Sequence, residues 1–161
     1  MAINQNIGPQ SYLQVIEILR NELLANNNIT TVTTGNISDI DLDKQTIFPL
    51  AHLVVGNASF NPQIITYDIS ILLMDVVHND DTEDEPNIYQ DDNSMYVLNT
   101  MFNIGNHLTD ALFNGDLYDG NTFVDRSSVN AEPFSDRFEN LLAGWSFNFQ
   151  LVVRNNINRC D

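Results

Sequence analysis

Between Ile64 and Val77 the chain reads IITYDISILLMDVV, a run rich in β-branched residues with no Gly, Pro or Asn inside it. Such residues favour extended backbone. At about 3.3 Å per residue the run would reach roughly 40 Å, more than a small domain needs. A strand of that length makes a sheet the frame of the molecule, and its alternation specifies what each face of the sheet meets. Ile65, Tyr67, Ile69, Ile71 and Leu73 point one way, which predicts a face buried along its whole length. The other face begins polar with Thr66, Asp68 and Ser70 and turns apolar with Leu72, Met74 and Val76. Two readings of that second apolar patch stand side by side. It passes into a neighbouring subunit, which makes all six residues subunit-contact candidates, or another element of the same chain, such as the first helix, covers it.

The rest of the chain supplies helices to cover a sheet. Ser11 with Gln14 has the spacing of a capping box, and Leu13, Ile16, Leu19, Leu23 and Leu24 recur at three and four, predicting a helix over Ser11 to Ala25 that Asn26-Asn27-Asn28 ends. A second helix is expected from Ser94 to Phe113, capped by Asn93 or Asp92, with Val97, Leu98, Met101, Phe102, Gly105, Leu108 and Leu112 buried and Asn114-Gly115 as its stop. Shorter strands are expected near Ile29 to Thr34, over Phe48 to Gly56 with Pro49 at its start or on an edge, and over Thr122 to Val129, with turns over Asp116 to Gly120. From Ala143 to Arg154, Trp145, Phe147, Phe149, Leu151 and Val153 alternate with mainly polar residues, a strong half-buried strand. The order predicts one α+β domain over residues 1–161, an antiparallel or mixed sheet with two main helices packed on it, and a loose tail from Asn155 to Asp161.

Charge narrows the function classes. Asp and Glu number 22 against 6 Lys and Arg, a formal net charge of −16. Nucleic-acid affinity rests largely on cations that neutralise phosphates, so specific nucleic-acid binding is not expected, and anionic membranes are disfavoured on the same ground. The densest acids, Asp80, Asp81, Glu83, Asp84, Glu85, Asp91 and Asp92, fall between His78 and Asp92 around Pro86 and predict an exposed, mobile loop. No run of about 18 apolar residues occurs. Met1 to Pro9 lacks the basic start and apolar stretch of a signal peptide, which predicts a cytosol-like compartment. The lone Cys160 allows no disulfide within the chain.

Motifs for chemistry are missing. Asp39, Asp41 and Asp43 alternate like a calcium loop, but Lys44 stands where such a loop needs Gly and Leu50 where it needs Glu. The spacing of His78, Asp80, Asp81, Glu83 and Glu85 fits no rigid metal geometry, and His52 and His107 read as packed or surface histidines. Nucleophile elbows and phosphate-cradling glycine loops are also absent. The expectation is a protein without catalytic residues, cofactor or metal; a glycosidase-like pair among the acids has nothing pointing to it.

The order and character of these elements resemble the tail-terminator and head-to-tail connector proteins of tailed bacteriophages. The segments that carry the likeness are the helix Ser11 to Ala25, the Pro-led strand Phe48 to Gly56, the long strand Ile64 to Val77, the helix Ser94 to Phe113 and the closing Leu142 to Val153. The Asn- and Ile-rich, Lys-poor style also looks like virion proteins of phages infecting AT-rich hosts, the crAss-like group among them. The resemblance implies a non-enzymatic subunit of the virion neck or tail, assembled in the host cytoplasm. It implies a homo-oligomeric ring, six-fold or twelve-fold, around the channel DNA crosses, with neighbouring neck, portal or tail proteins as further partners. The alternative, from the residues alone, is a monomeric cation- or ligand-binding module using the acidic segments.

Overall fold

The computed structural model describes residues 12–40, 45–78, 93–114, 122–124, 129–137 and 141–155. In chain order the elements are α1 (Tyr12–Ala25), β1 (Thr31–Thr34), β2 (Leu50–Phe60), β3 (Ile64–Val76), α2 (Ser94–Asn114), β4 (Thr122–Val124), β5 (Asn130–Arg137) and β6 (Leu142–Arg154). The strands form one sheet in the order β1-β2-β3-β6-β4, with β5 also paired to β6. Because β3 takes one edge of β6 over its full length, β4 and β5 share the other edge, β4 beside Leu151–Val153 and β5 beside Leu142–Asn148. The sheet is therefore five strands wide. Pairing is antiparallel throughout except for β1 and β2, which run parallel, so the sheet is mixed and the fold is α+β as the element order implied.

Both helices cover the same face. Ile65, Tyr67, Ile69, Ile71 and Leu73 of β3 are buried with Val15, Ile16, Leu19 and Leu23 of α1 and Val97, Met101, Ile104, Leu108 and Leu112 of α2. The stripe of α1 is turned from the expected one: Val15 is buried, whereas Leu13 is 56% exposed and Leu24 40%. On α2, Ile104 replaces Phe102 in the core, and Phe102 instead lies against the Trp145 ring at a centroid distance of 5.1 Å. The Trp145 indole donates to the Leu98 carbonyl at 2.9 Å, which gives its one polar atom a partner. Gly105 is where α2 comes closest to the sheet, since a Cβ there would fall inside the Phe147 ring.

Several boundaries differ from expectation. The strand foreseen to end at Gly56 continues to Phe60, because the chain turns back through Asn61, where the Asn61 amide bonds the Ile64 carbonyl at 2.8 Å, and the hairpin partner holds it extended. The single strand expected over Thr122 to Val129 is a short β4, with the distinct β5 starting at Asn130. Pro49 lies just before β2, and its carbonyl accepts the Thr30 amide at 2.9 Å. Ser11, the turns over Asp116 to Gly120, the tail beyond Asn155 and the acidic residues from Asp80 to Asp92 lie outside the described residues.

Candidate assembly surface

The second face of the sheet is divided. At the end where β2 begins and β3 finishes, Phe48, Leu50, Met74, Phe134 and Leu142 form a second core, with Ile37, Ile40, Ile47, Leu72 and Val76 half-buried around it. Its cover comes from the two short 3-10 turns, Ile37–Asp39 and Gln45–Ile47, together with Phe48 and β5. The apolar patch of the long strand is thus covered by its own chain, and by these turns rather than by the first helix. Met74 is fully buried and is removed from the subunit-contact set; Leu72 and Val76 keep only part of their surface.

His52 belongs to this closed half. It is fully buried, its Nε2 lies 3.1 Å from the Gly35 carbonyl and its Nδ1 2.9 Å from the Thr33 hydroxyl. A carbonyl only accepts, so Nε2 carries the proton and Nδ1 accepts from Thr33. Burial lowers the pKa of the ring, partly countered by the Gly35 bond. The neutral imidazole bolts β2 to the turn after β1, where Gly35 holds φ at 104°. The role is structural.

At the hairpin end no helix or turn among the described residues packs on the second face. Thr66, Asp68 and Ser70 stand half-exposed opposite Val152, Gln150 and Asn148 of β6. Two cross-strand bonds join these residues, the Ser70 hydroxyl donating to Asn148 Oδ1 at 2.7 Å and Gln150 Nε2 to Asp68 Oδ1 at 2.9 Å, while along β6 Asn148 Nδ2 donates to Ser146 Oγ at 3.2 Å. Asp68, Ser70, Asn148 and Gln150, with Val54, Gly56 and Asn130, line a shallow trough of about 470 Å³. Asp68 is the single ionisable side chain in it, and no nucleophile with an adjacent base lies there. The trough presents hydrogen-bonding groups and one carboxylate. Asn130, Asn148 and Gln150 were not among the sequence candidates. For Asn148 and Gln150 the signal was present in the polar positions of the Ala143 to Arg154 run, but choosing them required the register that sets Asp68 against Gln150, and Asn130 joins them only through the pairing of β5 with β6.

Among the described residues, the same end also has an unpaired strand edge. β1 pairs with β2 from Leu50 to Leu53 only, and β2 continues to Phe60. Gly56 through Phe60 are exposed, Phe60 at 72%.

The acidic residues Asp80, Asp81, Glu83, Asp84, Glu85, Asp91 and Asp92 are not described, but the two ends of their segment are. The His78 amide donates to Asn93 Oδ1 at 2.7 Å, and the Asn93 amide donates to the His78 carbonyl at 3.2 Å, so the segment leaves and re-enters the fold at one point. The Asn93 carbonyl accepts the Val97 amide at 3.1 Å and starts α2, while its side chain serves His78. Near this clamp Asp75 is half-buried; desolvation raises its carboxyl pKa, partly offset by the Val76 amide and the charge of His78. Among the described residues no three of His, Cys, Asp and Glu gather as a metal-binding group, and no helix is long and apolar enough to cross a membrane. No protein-family model matches the chain, and no curated protein matches it significantly.

Proposed function

We propose that the chain is a structural subunit of a tailed-phage particle that assembles with copies of itself into a ring in the neck or tail, through which DNA passes. The observation that carries this reading is the division of the second sheet face. One end is closed by the chain's own turns, whereas the other leaves Thr66, Asp68 and Ser70 beside an exposed strand edge. An uncharged strand edge with unpaired backbone groups is a template on which another strand can pair. The likeness in element order to tail terminators and connectors supports the same reading. The formal charge of −16 suits a channel wall that repels DNA phosphates. Neighbouring portal, neck or tail proteins would contact the rims of the ring, and no catalytic step is assigned.

The test is the solution mass by light scattering behind size exclusion, across a concentration series with and without calcium. A discrete assembly of six or twelve subunits is the expected outcome. A monomer at every concentration, alone and with candidate neck and tail partners, would overturn the reading. A calcium-dependent rise in Tm of such a monomer would favour the cation-binding module instead, because a ligand that binds only the native state stabilises it.

A further inference from the structure

We infer that the outer edge of β2 from Ala58 to Phe60 receives an extended strand from a second copy of this chain, so that the sheet continues across the subunit boundary. This rests on the ring reading and specifies its joint.

The argument begins with the parity of the hairpin. The Asn61 amide bonds the Ile64 carbonyl, so at this pair the backbone of β2 is directed toward β3. In an antiparallel ladder residues alternate between bonding inward and presenting N–H and C=O to the other side. The register runs Phe60 with Ile65, Ser59 with Thr66 and Ala58 with Tyr67. Ser59 therefore bonds inward, and Ala58 and Phe60 direct both backbone groups outward. Among the described residues nothing bonds to those groups, and β1 stops alongside Leu53. Between Val55 and Ala58 the register shifts, placing Gly56 and Asn57 against the single Asp68, a bulge that separates this stretch from the part β1 covers.

The two edges of the sheet are guarded differently. β5, on the far edge, carries the exposed Glu132 and Pro133, a charge and a proline of the kind by which edge strands avoid pairing. β2 carries none of these; from Gln45 to Tyr67 there is no Asp, Glu, Lys or Arg at all. Beyond the bulge, Ala58 to Phe60 carries neither charge nor proline against an incoming strand, and the Phe60 ring is 72% exposed beside it. Charge selects the occupant. A basic partner would be drawn to the acids that give the chain its −16, whereas an uncharged edge is where two equally acidic copies can approach with least repulsion.

Sedimentation velocity on the full chain, as wild type, Ala58→Pro and Phe60→Glu, over a concentration series at low and high salt tests the inference. Ala58→Pro removes an outward N–H and no internal bond, and Phe60→Glu changes an exposed side chain, so the circular-dichroism melts should stay close to wild type. Wild-type assembly should strengthen with salt, which screens the repulsion between acidic bodies. Each variant should need roughly tenfold or more higher concentration to assemble, from the lost hydrogen bonds or the added repulsion. If Ala58→Pro fails to fold, Phe60→Glu alone decides. Wild-type assembly matched by both variants would overturn the edge as the joint and leave the ring reading standing. Wild-type dimers that both substitutions disrupt would overturn the ring but uphold the joint. A wild-type monomer under every condition would overturn both.

Discussion

The two ends of the β3–β6 pair are built from the same two strands in one unbroken register, yet they behave as different surfaces. At one end Leu72, Met74 and Val76 pack with the turns that contain Ile37, Ile40 and Ile47; at the other Thr66, Asp68 and Ser70 are half-exposed, with no described turn or helix packed on them. The helix face shows no such division, since α1 and α2 together bury every second residue of β3 from Ile65 to Leu73. The contrast teaches that the polarity change within one strand records where the chain's own cover stops. An apolar patch on a long strand is thus ambiguous until the turns are placed, whereas the polar strip keeps part of its surface exposed among the described residues.

The sharpest way to break this comparison is to remove side chains from each end. Met74→Ala, which empties a fully buried site, should cost about 2–5 kcal/mol in urea unfolding. Ser70→Ala at the polar end deletes one part-exposed hydrogen bond and should cost under about 1 kcal/mol. Equal costs at both ends would show that the polar end is covered after all. On the helix face Gly105→Ala forces a methyl into the Phe147 ring and should destabilise by about 1–3 kcal/mol, with the near-ultraviolet signal of Trp145 and its neighbours as a second readout.

Acid should open the closed end first. Burial holds the His52 pKa below its ordinary value of 6.5, so below that pH the unfolded chain binds a proton that the native chain refuses. Stability from this site is complete above 6.5 and declines as pH falls from there toward the folded pKa. His52→Gln should be less stable than wild type at neutral pH, and its Tm should fall less on going to mildly acidic pH. The smallest effect is expected at Asp75, whose carboxyl pKa is raised above 3.8, so that stability declines as pH rises through and above that value. Asp75→Asn keeps an acceptor for the Val76 amide, removes the buried charge and should raise Tm slightly at neutral pH.

Much of this was legible from residue order. The span of β3 and its buried face, the extents of both helices and the strand ending at Arg154 follow from periodicity, because burial on one side leaves a period in the sequence. β5 was missed because Pro133 and three charged residues disguise it as a loop, and pairing with β6 alone makes it a strand. The far half of β2 was missed because Gly56 and Asn57 read as a stop, whereas the ladder to β3 absorbs them as a bulge.

Of the candidate contact residues, the sequence by itself separated the polar strip Thr66, Asp68 and Ser70 from the apolar Leu72, Met74 and Val76, and it determined that one face of the long strand is core. Only the tertiary structure decided that Met74 is sealed inside its own chain, that Asp68 and Ser70 bond to Gln150 and Asn148, and that β2 outruns β1. The physical reason is range. Alternation and helical period are local consequences of backbone geometry, but cover, register and an unpaired edge depend on segments up to some 80 positions apart, such as Ser70 and Asn148, meeting in space.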